Sequence, residues 1–275
     1  MQNFNDMKKL FLLSLAIFAL LLPSSVLAQF GEPEIRKKEV PKNLYDEGYK
    51  AGFGFIFGAN DFGFGVGGQY RRVLSRYTEA HLSFKISGLK DPREQVFIDY
   101  FFGTKTIPNK YKRVVSFPIT LGMKKRVLAE EVSDNFRFFG SFSGGPVFAF
   151  SYPYFNDRNR NGFRENNPQA YDTFERPNDI LTGWSDGDWH LGFTGSAEIG
   201  IDFNANFANL QSFMFGYNFY YFEQGLQILE PSQPQLDDTG NPRYENGELQ
   251  ITNNYAPKKF YGSAQISFVF GWMWD

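Results

Sequence analysis

From Lys258 to Trp274 the chain alternates without a break. Phe260, Gly262, Ala264, Ile266, Phe268, Phe270, Trp272 and Trp274 fall on one face of an extended strand. Tyr261, Ser263, Gln265, Ser267, Val269, Gly271 and Met273 fall on the other, because successive side chains of a strand point to opposite sides. One face is apolar from end to end and rimmed with aromatics, while the other is small or polar. A soluble sheet can contain one such strand. A chain that repeats it is held to a transmembrane β-barrel, with lipid outside and a polar interior.

The pattern does repeat. Tyr49, Ala51, Phe53, Phe55 and Phe57 oppose Lys50, Gly52, Gly54, Ile56 and Gly58; after a turn at Ala59-Asn60-Asp61, Phe62, Phe64, Val66 and Tyr70 oppose Gly63, Gly65, Gly67, Gln69 and Arg71. Ala80, Leu82, Phe84 and Ile86 then oppose Glu79, His81, Ser83, Lys85 and Ser87. Val115 to Met123 alternates against Ser116 to Lys124, and Phe136 to Tyr152 sets mostly Phe against Arg137, Ser141, Ser143 and Ser151. Leu191, Phe193, Ala197, Ile199, Ile201 and Phe203 face away from His190, Thr194, Ser196, Glu198 and Asp202. Phe213 to Tyr221 oppose Ser212, Met214, Gly216 and Asn218. With the last strand this makes eight, each about nine residues or longer, as a tilted spanning strand requires.

Parity supports eight. A barrel of this kind has short periplasmic turns and long outer loops. Counting back from the C-terminus puts 74–77, 128–135 and 204–209 in the periplasm and the long segments 88–112, 153–189 and 223–257 outside. Val96 to Phe102 also alternates and is expected to project above the membrane. A ten-strand barrel that recruits it is the alternative, since strand numbers are even.

Composition agrees. Aromatics reach 19%, with 33 Phe and 15 Tyr, yet mean hydropathy is -0.38; alternating faces cancel in that way. The absence of cysteine removes disulfides and thiolate metal sites. A net charge of -2 gives no sign of a nucleic-acid partner. At the N-terminus Lys8 and Lys9 precede an apolar run from Leu10 to Leu22 and then Pro23-Ser24-Ser25-Val26-Leu27-Ala28. This is the pattern of a secretory signal over 1–28, followed by a charged periplasmic segment over 29–47 and a barrel over 48–275.

The run Phe117-Pro118-Ile119-Thr120-Leu121-Gly122, a short turn, and Gly140-Ser141-Phe142-Ser143-Gly144-Gly145-Pro146 resembles the small outer-membrane β-barrel proteins of Bacteroidota-type bacteria, including the PorT-like family. The resemblance implies an outer-membrane barrel in a Gram-negative envelope and transfers no functional residue.

An eight-stranded barrel is just wide enough inside for its own side chains. The inward charges are Lys50, Arg71, Glu79, Lys85, Lys124, Arg126, Arg137, Glu198 and Asp202. Arg71, Glu79, Lys124, Arg137 and Asp202 should share one depth near the periplasmic end. Buried charges must pair to be tolerated, so a plug of ion pairs is expected; a constriction selecting anions is the competing reading. His81 and Ser83 share a face with Glu79 and invite comparison with a lipid-deacylating barrel. The pair points inward, however, and Phe84-Lys85 follows where a resemblance to that family would imply Asn. Asp157-Arg158-Asn159-Arg160-Asn161-Gly162 looks like the start of a calcium loop, but its twelfth position is Pro168, where a closing acid belongs. The loops carry Tyr154, Phe155, Phe163, Tyr171, Phe174 and Trp184, and farther on Asp237, Asp238, Glu245 and Glu248. Aromatics among polar groups suit a surface ligand or protein.

The expected protein is a non-enzymatic barrel with a filled lumen and no cofactor or metal, acting in envelope structure or through its outer loops. Its expected partners are outer-membrane lipid and, through the C-terminal strand, the barrel-assembly machinery. A narrow pore for small solutes, anions among them, and a lipid-modifying enzyme are the alternatives.

Overall fold

The computed structural model describes residues 41–99, 104–132, 134–165, 175–203 and 206–275. The signal-like segment, Tyr171, Phe174 and Pro168 lie outside them. Eight antiparallel strands form one closed barrel: β1 (Ala51–Asn60), β2 (Gly63–Ser75), β3 (Thr78–Leu89), β4 (Lys112–Arg126), β5 (Phe136–Pro153), β6 (Asp188–Phe203), β7 (Asn209–Leu226) and β8 (Lys258–Trp274). Each strand pairs with its neighbours in sequence, and β8 closes on β1 from Ala51↔Trp274 to Asn60↔Gln265. Closure leaves no strand edge unpaired, so backbone polar groups are satisfied all the way round.

The strands run farther than alternation alone indicates. β3 continues to Leu89, β5 to Pro153 and β7 to Leu226, so the long connections are 90–111, 154–187 and 227–257. They leave one end of the barrel, the loop end; the short connections 76–77, 127–135 and 204–208 lie at the other, the turn end. The ten-strand alternative fails. Phe97–Asp99 pairs only with Thr104–Thr106, in a small hairpin separate from the barrel.

Side chains divide as a period of two demands. Ile56, Phe139, Met214 and Val269 pack together inside, and Gly54 makes room for them. A Cβ on Gly54 would stand 2.6 Å from Cγ1 of Val269. At the loop end Leu89, Val114, Val147, Ala149, Tyr220, Phe222 and Tyr261 form an apolar plug with Leu226, Ile228 and Phe62. Phe62 is a correction to the sequence expectation of an outward residue. The turn falls at Asp61-Phe62, where Oδ1 of Asn60 accepts hydrogen bonds from the Phe62 and Gly63 amides (2.9 and 3.1 Å). That turn breaks the parity and rolls the ring inward, 6.1 Å from the ring of Tyr220.

Phe222→Ala should lower unfolding stability by about 3–5 kcal/mol through the cavity it leaves in this plug. The urea midpoint of the refolded protein checks it.

Candidate functional site: the lumen and its loop cap

At the turn end of the lumen, β2, β3, β4 and β6 bring Arg71, Glu79, Lys124 and Asp202 together. Nζ of Lys124 donates to Oδ2 of Asp202 at 2.5 Å and lies 3.3 Å from Oε1 of Glu79. Its ammonium also sits 4.2 Å from the centre of the Phe139 ring, a contact favourable to a desolvated cation. Arg71 is fully buried. Its Nε donates to Gln69 at 2.6 Å, and Nη2 donates to Oγ of Ser212 at 3.0 Å. That hydroxyl in turn donates to Oδ1 of Asp202 at 2.6 Å. Nη1 of Arg71 and Oε2 of Glu79 face each other at 3.8 Å, and neither has a hydrogen-bond partner. Two acids therefore answer two bases through a shared Asp, and Gln69 and Ser212 take the Nε and Nη2 of Arg71.

Arg137 reaches the same end differently. Its guanidinium lies 4.4 Å from the centre of the Phe207 ring, and Nη1 donates to the Asp134 carbonyl at 2.8 Å. Arg126 belongs to a cap rather than the lumen: it pairs with Asp134 at 2.8 Å and donates to the Lys42 carbonyl at 2.7 Å. Residues 42–49 turn across this end, with Asn43 buried. A void of about 20 Å³ remains between cap and cluster, close to the size of one water. Lys50 is not in the lumen. It lies one residue before β1 begins and is exposed at the rim.

Lys85 and Glu198 sit apart from that cluster. Glu198 accepts from Gln265, which accepts from Asn218. Lys85 is half-buried on the inward parity of β3. Ser87 with Ser116 and Ser143 with Ser196 complete this polar layer at 2.9 and 2.8 Å. His81 and Ser83 are both buried here. Ser83 accepts from Gln69 at 3.0 Å, and Gly122 leaves the space that the His81 ring occupies. The Ser83 hydroxyl is thus engaged by Gln69, and among the described residues no hydrogen bond joins it to His81 as a nucleophile–base pair would require. His190 meets Ser151 at 2.9 Å at the loop-end rim.

The loops knit into a cap. Ile228 accepts from the amides of Tyr111 and Lys112, and Tyr111 accepts from Tyr154. Buried Lys110 and Glu94 pair at 2.7 Å. Around Asp157-Gly162, Asp157 accepts from the amides of Asn161 and Gly162. Glu165 accepts from the side-chain Nδ2 groups of Asn159 and Asn161, and Glu175 accepts from the backbone of Arg158 and Glu165. The loop is thus held by hydrogen bonds, and among the described residues no group of three or more His, Asp or Glu could hold a metal. Burial pushes Glu230 up to about 7, helped by the charges of Glu175 and Asp157. Burial likewise raises Glu175 and pushes Tyr111 up to about 12.

Sequence reasoning placed most of the lumen charges but not Gln69, Ser212 and Phe139 as their partners. Phe139 stands on the same parity as Arg137 and Ser141, so its inward direction was readable. The acids Glu165, Glu175 and Glu230 carried no signal, because loop packing alone assembles them.

No protein-family profile matches the chain, and no curated protein matches it. Among solved structures it is similar to Neisserial surface protein A (8% identity, TM-score 0.37, covering 82% of this chain and 94% of that one). It is also similar to Ail, the attachment invasion locus protein of Yersinia pestis (10% identity, TM-score 0.29, covering 82% and 95%), solved with the heparin analogue sucrose octasulfate. Likeness at this level carries no argument about activity.

Two outcomes follow from the site. Asp202→Asn strands Lys124 and Arg71 and should destabilise by about 3–5 kcal/mol, with Lys124→Met in the same chain recovering part of the loss in urea unfolding. Glu230 is an acid whose folded pKa lies above its ordinary value, so the folded cap holds its proton more tightly. The cap should therefore loosen as pH rises from about 4.5 to about 7 and then level off. Amide exchange in residues 157–165 checks this, and Glu230→Gln should flatten the dependence.

Proposed function

We propose that the protein is an integral outer-membrane barrel without enzymatic activity that serves the envelope or meets surface partners through its loop cap. One observation carries the proposal: a closed barrel that turns its large apolar side chains outward all the way round. Leu121, Phe142, Phe193, Ile199, Phe215, Phe260 and Trp272 are all exposed, with Phe193 at 65% and Ile199 at 68%. Soluble monomers do not expose such a continuous belt. At about 3.3 Å per residue and a tilt near 40°, β8 from Phe260 to Trp274 rises roughly 35 Å. That accommodates an apolar band of about 25 Å and an aromatic girdle at each rim.

In this reading the turn end faces the periplasm and the loop end faces outward, as short turns and long loops do in such barrels. The Lys8 to Ala28 pattern suits export, and the exposed aromatic C-terminal strand suits handling by the assembly machinery. Kinship with PorT-like barrels rests on the Phe117–Gly122 and Gly140–Pro146 runs alone. The apolar plug, the Ile56–Phe139–Met214–Val269 layer and the ion-pair cluster leave the narrow-pore reading without a supporting path.

Arg in place of Ile199 or Phe268 should lower folding stability in vesicles by roughly 2–4 kcal/mol if the site is at mid-membrane, while Ile199→Leu should leave it unchanged. Equal behaviour of the Arg and Leu variants would remove the lipid-facing assignment. An epitope inserted between Thr239 and Gly240 should be reached by antibody on intact cells. Accessibility only after outer-membrane lysis would reverse the orientation.

A further inference from the structure

The connection between β5 and β6 joins the loop cap over 154–165 and then returns to the barrel. Its stretch 178–187 lies against the outer wall of the barrel. The Trp184 ring packs edge-on against Phe150 and Tyr152, at 6.1 and 5.9 Å, and Trp189 lies 5.0 Å from Phe150. Phe150 and Tyr152 both point outward by the period of β5. Tyr152 is nonetheless only 3% exposed, because the connection covers it. Gly187 permits the close approach: a Cβ there would run into the Phe150 ring.

The stretch is pinned, not draped. Arg113 donates through Nη1 to the Asp179 carbonyl and through Nη2 to the Asn178 carbonyl, both at 2.7 Å. Its guanidinium also lies 4.7 Å from the centre of the Tyr154 ring. Oδ1 of Asp179 accepts from the amides of Leu181 and Thr182 at 2.8 Å. Nε1 of Trp184 donates to the Ile180 carbonyl at 2.9 Å. This tied turn holds Ile180 and Leu181 out at 69% and 73% exposure. Folding buries large aliphatics wherever it can, and an exposed apolar patch held in place marks a contact surface. The patch is continuous with the belt: Trp184 and Trp189 join it to Leu191, Phe193, Phe117 and Phe148 on the same wall.

We propose that residues 179–184 form a membrane-inserting knuckle. Ile180 and Leu181 enter the headgroup–acyl boundary of the loop-side leaflet, and Trp184 and Trp189 sit at its interface. The partner is the lipid surface itself, and the knuckle sets the depth at which the barrel rides. Aromatic rings with a polar edge favour that boundary, and aliphatic side chains enter it by burying apolar area. This rests on the membrane reading above and adds to it a loop that belongs to the lipid, not to the water.

The absence of cysteine allows single-site labelling of the full chain. An environment-sensitive fluorophore is placed on Leu181→Cys, Ile199→Cys or Thr239→Cys, with the protein folded into phosphatidylcholine vesicles. Quenching is compared for nitroxides carried near the lipid headgroup, nitroxides near the acyl-chain end, and iodide in the water. The label at 181 should be blue-shifted and lose most fluorescence to the shallow nitroxide. The label at 199 should lose most to the deep nitroxide, and the label at 239 should respond to iodide alone. A label at 181 quenched only by iodide, with 199 still quenched by lipid, overturns the knuckle and leaves the barrel in the membrane. Protection at 181 from every quencher also overturns it, by seating a second copy there. Failure of lipid to quench at 199 overturns the membrane reading itself.

Discussion

Closing eight strands on themselves dictates most of what the rest of the molecule does. The seam between β1 and β8 satisfies the last open row of backbone groups, and in doing so it produces an inside and an outside with opposite requirements. The inside is so narrow that every side chain must be packed or paired. The outside is a wall that leaves many large apolar side chains exposed, which is what the proposed membrane setting requires.

The charges in the lumen are a consequence of that narrowness. Arg71 and Lys124 could not be carried inside without Asp202 and Glu79 beside them, and Asp202 could not serve both bases without Ser212 to hold its other oxygen. A buried network of this kind specifies an arrangement more than it stabilises one, because desolvation offsets much of the Coulomb attraction. The apolar plug at the loop end has the opposite character. It is stabilising by burial, and it lies across the end of the lumen where the loops gather.

Much of this was legible in the residues. A period of two gives strand and face together, which is why all eight strands and most of the inward set could be read from alternation. What failed did so at element ends. Phe62 changed sides because Asn60 caps a turn within the run, and Lys50 stands exposed at the rim where the ladder of hydrogen bonds ends. Contacts across the lumen could not be read at all. Whether Arg71 meets Asp202 depends on the stagger and tilt of three intervening strands, and no local pattern encodes either. The loop cap was equally opaque, since Arg113 reaching Asn178, or Glu230 meeting Arg164, is decided by how two separate connections fold over the strands and over one another.

The filled lumen is the central claim, and it separates a barrel that works through its surface from one that works through its interior. Single-channel recording of the folded protein in a planar bilayer addresses it directly. Protein shown to be inserted should pass no steady current, because the plug, the Phe139 layer and the ion-pair cluster lie in series across the path. A steady, ion-selective conductance from the same preparation would contradict the account and identify Arg71, Lys124 and Arg137 as the wall of a channel.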